Sequence, residues 1–404
     1  MKQTEIRFAL EEQAAQRDVS LGMRRDALAQ IPVERDFATI LTGVRRSGKS
    51  TLLNQWAHEA HEKTVSVMFD DIRLANFEFS DFKALDAALD DLNVRNVILD
   101  EVQEVTGWER YVASLLLRRR CVLVTGSNAK MLSRELGTKL TGRHLNMEVF
   151  PFSFSEFVRF TKRKPSPAVL DDYLNVGGFP AYVRDRSPRI LRELFTDILY
   201  RDVIVRYGLT DTAPIKRLAT FLLAHAGCLV TPSRLKGSIR VQQAKTVLEY
   251  FDHLTECYLI CRMERFADSA KARLQAPKKI YACDTGLVGA VESGHADNRG
   301  HKLENVLFWH LRQRGGDLTY FHDTDSGTEC DFLREADDGS FEAVQATWTL
   351  SDENEERETT GLLKAMRRFG LKEGVIVTRD QTDLITEGGS TIRIVPAHEF
   401  LTLG

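Results

Sequence analysis

The residues best suited to chemistry lie at Gly43-Val44-Arg45-Arg46-Ser47-Gly48-Lys49-Ser50, which fits the pattern G-x-x-x-x-G-K-[ST] at every fixed position. Such a loop holds a polyphosphate. Gly43 and Gly48 let the backbone turn with its N–H groups pointing inward, and a helix N-terminus adds partial positive charge where phosphates lie. Lys49 would reach the β- and γ-phosphates, and the Ser50 hydroxyl would sit on Mg²⁺. With Arg45, Arg46, Ser47 and Thr51, these residues make the expected contact set for ATP and Mg²⁺. The loop needs a strand before it and a helix after it. Phe37-Ala38-Thr39-Ile40-Leu41-Thr42 reads as a buried strand and Thr51-Leu52-Leu53-Asn54-Gln55-Trp56-Ala57 as the first turns of a helix.

Hydrolysis needs carboxylates as well, and Val97-Ile98-Leu99-Asp100-Glu101 supplies them at the end of a second apolar run. Asp100 would hold the Mg²⁺ shell, while Glu101, one residue further, is the candidate general base that orients and polarises the attacking water. A third strand, Cys121-Val122-Leu123-Val124-Thr125, ends in Gly126-Ser127-Asn128, whose polar side chains would lie between the phosphate loop and the acidic pair. Val65 to Phe69 and Leu145 to Val149 add two more strands. Strands and helices alternating at this spacing predict an α/β fold, a doubly wound parallel sheet.

Taken together, G-x-R-R-S-G-K-S at 43 to 50, ILDEVQ at 98 to 103, VTGSNAKML at 124 to 132 and LTGRHLNMEVFPFSFSEF at 140 to 157 resemble the AAA-type (AAA+) P-loop ATPases of bacteria and archaea that carry a C-terminal domain of unknown function. Gly177-Gly178-Phe179-Pro180 and Tyr200-Arg201-Asp202 extend the likeness, which spans roughly residues 20 to 370. The resemblance implies an ATPase domain, a helical or winged-helix middle and a C-terminal α/β domain, without implying a substrate. It makes Asn128 or Ser127 the residue that senses the γ-phosphate or the water, with Asn128 carried as the site residue. Arg143 becomes the first choice, and Arg201 the second, for an arginine that stabilises transferred charge in cis or from a neighbouring subunit. It also implies self-association, since such sites are commonly completed by a neighbour.

The expected organisation is an N-terminal helical segment at 1–35, the ATPase domain at 36–160, a helical lid or linker at 161–210, a winged-helix-like domain at 211–290 and a C-terminal domain at 291–404. In the middle, Ile215 to Ala224 reads as an amphipathic helix, Thr231 to Leu235 as a short capped helix and Val241 to Leu254 as a longer one. The runs Cys257 to Arg262 and Lys279 to Ala282 would form the wing, and Lys236, Arg240, Gln242, Gln243 and Lys245 would line a recognition helix. Residues 201 to 280 hold 14 Lys or Arg against 7 Asp or Glu, a balance of 14 − 7 = +7 in a chain of net charge −3, which points towards DNA or another nucleic acid.

From residue 300 onward the order helix, three strands, helix, strand looks like the restriction-endonuclease-like fold. Glu304 and Asp331 match two metal-binding positions of that fold, but Gln345 stands where a second acid belongs and Thr347 where a lysine belongs. Phosphodiester cleavage by this route should be severely weakened, so the expectation is a nuclease-like domain that binds without cutting. The alternatives are a nucleotide-dependent protein-interaction switch without nucleic acid, and an active ATP-regulated nuclease.

A length of 404 residues predicts two or three domains, and 43% hydrophobic with 28% charged residues is an ordinary globular balance. The six cysteines read as reduced core residues and the ten histidines form no zinc-binding spacing. No apolar run approaches the eighteen or so residues that span a bilayer and no signal-like segment opens the chain, so a cytoplasmic protein without membrane contact is expected.

Overall fold

The computed structural model describes residues 1–17, 21–126, 142–291 and 298–402. The chain divides into one unit of residues 1–151 with 256–258 and another of residues 152–255 with 259–404.

In the first unit, five short aliphatic runs form strands β1 (Ala38–Thr42), β2 (Thr64–Met68), β3 (Asn96–Asp100), β4 (Cys121–Gly126) and β5 (His144–Glu148). They lie in the order β2-β3-β4-β1-β5 with every pair parallel. Helices α1 (Gln3–Arg17), α2 (Lys49–Glu59), α3 (Phe82–Asp91) and α4 (Trp108–Leu117) cover it. Successive strand residues serve opposite faces. Ile40, Val97, Leu99, Val122 and Val124 pack with apolar residues of α1, α3 and α4, whereas Leu41, Ile98 and Leu123 pack with Leu52 and Leu53 of α2. Both faces are therefore buried, as continuous apolar strands require. Leu99 is fully buried directly before Asp100, and truncating it to alanine would cost roughly 2–5 kcal/mol. The registers Thr42↔Gly126 and Leu99↔Val124 bring the C-terminal ends of β1, β4 and β3 to one edge of the sheet, with β4 in the middle.

The second unit holds a nine-stranded mixed sheet of β6 (Leu229–Val230), β7 (Ile260–Arg265), β8 (Lys278–Ala282), β9 (Asp317–His322), β10 (Glu329–Glu335), β11 (Phe341–Ala346), β12 (Glu373–Thr378), β13 (Asp383–Glu387) and β14 (Ser390–Pro396), in the order β13-β14-β12-β11-β10-β9-β7-β8-β6. Helices Ala213–Ala224, Pro232–Leu235 and Ala244–Glu256 precede the antiparallel β7–β8 hairpin, and β6 pairs with β8. No sheet boundary falls at residue 290, where a change of domain is expected from the sequence. The two segments join because β7 pairs in parallel with β9, matching Glu264 with Thr319 and Arg265 with Tyr320, which leaves neither strand with an open edge there. Helix Glu355–Phe369 lays Leu362, Leu363, Ala365 and Met366 on Cys330, Ala343, Ile376 and Ile392 of the sheet. Helices Phe154–Phe160, Pro167–Val176 and Pro188–Asp197, the last running into a π-helix at Ile198–Val205, belong to the same unit. Asp284 fastens the Gly177-Gly178 turn by accepting the Gly178 N–H at 2.6 Å together with the Gly286 and Leu287 N–H groups. Burial pushes its carboxyl up to about 6 in spite of those bonds.

The expected recognition helix begins later than the sequence suggests. Lys236, Arg240, Gln242 and Gln243 lie before Ala244, in exposed turns, and only Lys245 is on the helix. The outward face of that helix carries Lys245, Leu248 and Glu249, with the Lys245 and Glu249 side chains 3.8 Å apart.

Candidate active site

The phosphate loop is shaped by contacts that only glycine permits at two points. A Cβ on Gly43 would meet the Val149 carbonyl oxygen at 2.2 Å, and Gly48, which caps α2, has φ +101°. Lys49 is buried, and its Nζ donates to the carbonyls of Gly43 at 2.9 Å and Val44 at 3.1 Å. Ser47 is fully buried with its Oγ unpartnered among the described residues, which suits a loop built to receive an oxygen-rich group. Ser50 is exposed in the first turn of α2, beside Thr51, while Arg45 is half-buried and Arg46 exposed with φ +63°. Beneath the loop, Arg25 donates to the Ser47 carbonyl at 2.9 Å and the Phe150 carbonyl at 2.8 Å, and its own N–H reaches Gln55 Oε1 at 3.0 Å. This buried arginine ties the segment before β1 to the loop and to the end of β5. Nothing in its sequence neighbourhood marks it, because its partners are backbone carbonyls far away in the chain.

Across the edge, Asp100 ends β3 buried, and the Thr125 hydroxyl donates to Asp100 Oδ1. The same hydroxyl oxygen accepts the Glu101 N–H at 3.0 Å. Thr125 is fully buried on β4, between the strand of the phosphate loop and the strand of the acids. Two strand spacings separate β1 from β3, about 10 Å at backbone level. Glu101 is half-buried with φ +52°, an uncommon conformation for a residue with a side chain, and its carboxylate accepts from Gln103 Nε2. A third carboxylate, Asp70, follows β2. Desolvation first and then the Glu101 carboxylate hold its pKa above the ordinary aspartate value, against its own backbone hydrogen bond and the Arg45 guanidinium.

Lys49, Ser50, Asp100 and Glu101 thus gather on one edge. Arg143 does not. The Ala38 N–H donates to its carbonyl at 3.1 Å, which places Arg143 at the start of β5, beside the start of β1. The five residues of β1 then separate its backbone from its own loop by about 16 Å. Arg201 is exposed on the π-helix of the second unit. Asn128 and Ser127 lie outside the described residues; the strand-end side chain that meets Asp100 is Thr125.

In the second unit, Glu304, Asp331 and Gln345 do converge. Asp331 Oδ2 accepts the Ala346 N–H at 3.0 Å, and Gln345 Oε1 accepts the Asp331 N–H at 3.0 Å while its amide donates to Glu358 at 2.7 Å. Glu342, the acid on β11, pairs with Arg314 and Arg334. A residue the spacing does not reveal stands at the centre. Lys279 of β8 places its Nζ 3.0 Å from Glu304 Oε1, 2.6 Å from Glu329 Oε1 and 2.7 Å from Asp331 Oδ1. Burial alone would depress this ammonium, but the carboxylates of Asp331 and Glu304 prevail and hold its pKa well above the ordinary lysine value. Burial pushes Glu304 up to about 7, with Lys279 opposing and Asp331 adding to the rise. One ammonium carries a single charge against three carboxylates. The signal available in the sequence is the pair Lys278-Lys279: on a strand, adjacent side chains face opposite sides, so one of two neighbouring lysines must point inward.

Residues 35–158 match the family described as AAA domain, and residues 168–298 match one described as domain of unknown function (DUF8612). The AAA match takes in the phosphate loop, Asp100-Glu101 and Thr125, all within the first unit. An uncharacterized protein of Haemophilus influenzae is 29% identical over 305 residues, covering 70% of this chain and 76% of that protein. The uncharacterized protein MJ1544 of Methanocaldococcus jannaschii is 29% identical over 355 residues, covering 82% of this chain and 79% of its own length. Among solved structures, the Walker-type ATPase paby2304 of Pyrococcus abyssi aligns with a TM-score of 0.43 and 14% identity, over 63% of this chain and 90% of that one. Among the described residues, no helix is long and apolar enough to cross a membrane.

Proposed function

We propose that the protein is a Mg²⁺-dependent ATP hydrolase that couples turnover to DNA or other nucleic-acid binding through its second unit. The observation that carries the ATPase reading is the shared edge of β1, β4 and β3, where the loop of Lys49 follows β1, the acidic pair ends β3, and Thr125 of the intervening β4 bonds the Asp100 carboxylate and the Glu101 N–H. Lys49 would exchange its loop carbonyls for phosphate oxygens. Ser50 and Asp100 would hold Mg²⁺, which neutralises phosphate charge when bound. Glu101 would orient the attacking water and take its proton, and Thr125 would keep Asp100 and the Glu101 backbone in register. Arg143, whose backbone stands well away from its own loop, would act on the site of a neighbouring copy, so the enzyme self-associates.

Support for nucleic acid is the +7 balance of residues 201 to 280, 14 Lys or Arg less 7 Asp or Glu, with Lys236 and Arg240 exposed ahead of the Ala244–Glu256 helix. In this reading the helices and hairpin of that segment would serve as a winged helix, and the C-terminal strands and helices as a nuclease-like domain. With Lys279 at its carboxylate centre, the nuclease-like part binds and does not cut. One observation favours a second reading, a protein-interaction switch: the outward face of the Ala244–Glu256 helix carries Leu248, 47% exposed, and Glu249.

ATP binding and phosphate release by three proteins test the first reading. Lys49→Ala should lose tight ATP binding; Glu101→Gln should bind ATP and release phosphate about 10²–10⁴-fold more slowly than wild type. Wild-type turnover by Glu101→Gln removes it from the base position. Gel-shift titration at low salt with single-stranded, duplex and branched DNA separates the two partners, since absence of any shift leaves the protein switch.

A further inference from the structure

Three carboxylate oxygens from two separate elements meet at one point in the second unit. Glu304 comes from helix Arg299–Gln313, and Glu329 and Asp331 from the start of β10. Their oxygens lie 2.6–3.0 Å from a common centre, which is the Nζ of Lys279, a side chain only 3% exposed. Oxygen ligands of a hard divalent cation converge in the same manner, at about 2.3–2.6 Å for Ca²⁺. Tyr281 completes the shell by donating its hydroxyl to Glu304 Oε1 at 2.8 Å. As they stand, no three His, Cys, Asp or Glu among the described residues are arranged to hold a metal ion.

We propose that the Lys279 ammonium is a built-in cation that takes the place of a divalent metal, and that its removal uncovers a metal site made by Glu304, Glu329 and Asp331. The geometry of the carboxylates is that of ligands around a positive centre, and Lys279 supplies that centre covalently from β8. A tethered ammonium cannot exchange, carries one charge in place of two and coordinates no water. The centre therefore holds β8, β10 and the Arg299–Gln313 helix together without offering a Lewis acid to a phosphodiester. It also accounts for Gln345, which bonds the Asp331 backbone and Glu358 where a further carboxylate would add to a negative charge that one lysine already does not balance. The inference stands on this cluster alone and not on the ATPase reading, and ATP hydrolysis enters neither of its tests.

Terbium luminescence of the full chain is the first test, because Tb³⁺ seeks oxygen sites of the calcium type and is sensitised by a tyrosine close by, here Tyr281. Lys279→Ala should give severalfold more sensitised emission than wild type, and Lys279→Ala/Asp331→Asn should return to the wild-type level. Folded Lys279→Ala with emission no higher than wild type overturns the proposal, as does wild-type emission that Asp331→Asn abolishes. Lys279→Met, which keeps the bulk and removes the charge, is the second test. Its unfolding midpoint without metal should fall by on the order of 10 °C, because three carboxylates lose their counter-ion. Adding Asp331→Asn should recover part of that loss. Lys279→Met as stable as wild type, or a double variant less stable than the single one, contradicts the assignment.

Discussion

Lys49 in the first unit and Lys279 in the second are buried to a similar degree, 6% and 3% exposed, yet they hold different kinds of partner. Lys49 donates to two neutral carbonyls of its own loop, whereas Lys279 is surrounded by Glu304, Glu329 and Asp331. A neutral carbonyl is readily exchanged for a charged phosphate oxygen, since the charge-assisted bond is the stronger one. A carboxylate is not given up for anything weaker. The same residue type thus donates to its own loop at one place and sits among three carboxylates at the other. The surroundings differ as well. Glu101 in the first unit is half-buried in an uncommon backbone conformation, with φ +52°. Asp331 in the second has both oxygens occupied, by Lys279 and by the Ala346 N–H.

Thr125→Val offers the largest effect with which to sharpen the contrast beyond the two lysines. The change keeps the shape and removes the hydroxyl shared by Asp100 and the Glu101 amide, so phosphate release should slow about tenfold to a hundredfold while ATP affinity stays within about threefold. Equal losses in affinity and turnover would instead mean that Thr125 shapes the loop. A smaller effect concerns Arg143. Mixing Lys49→Ala with Arg143→Ala should restore part of the activity that each lacks, because an intact loop meets an intact arginine only where two copies join. A strictly monomeric wild type with full activity at every concentration rules out that arrangement.

The smallest effect is on stability against pH. Asp284 titrates in the folded chain near about 6 against an ordinary 3.8, and Glu304 near about 7 against 4.5, both raised first by burial. Each group favours folding when protonated, so its contribution is complete below the ordinary value and is lost as pH rises through the folded one. The unfolding midpoint of the second unit should decline between about pH 4 and pH 7, and Asp284→Asn should flatten the lower part of the decline. A midpoint that rises across this window reverses the sign of both assignments.

The phosphate site was legible because its chemistry is encoded locally. Gly43 to Ser50 fix a turn and Asp100-Glu101 end an apolar run, so type and spacing alone locate the loop and the acids. Thr125 ended a strand already recognised, but its partners could be found only once β4 was known to lie between β1 and β3. The placement of Arg143 needed the same strand order, since its position just before a strand does not say which end of the sheet that is. In the second unit the elements after residue 300 were readable from their alternation, and the convergence of Glu304 with Asp331 with them. Lys279 escaped because it reaches the centre from β8, through pairings of distant segments that spacing does not carry. The late start of the helix at Ala244 escaped for a simpler reason: Gln242 and Gln243 have ordinary helix propensity and only the preceding turns exclude them.

Mg²⁺-dependent phosphate release by Asp100→Asn and Asp331→Asn, assayed side by side with wild type, tests the division between the two centres most directly. Release should be nearly abolished in Asp100→Asn and remain within about twofold of wild type in folded Asp331→Asn. Full activity in Asp100→Asn, or a loss in folded Asp331→Asn as deep as that in Asp100→Asn, would contradict it.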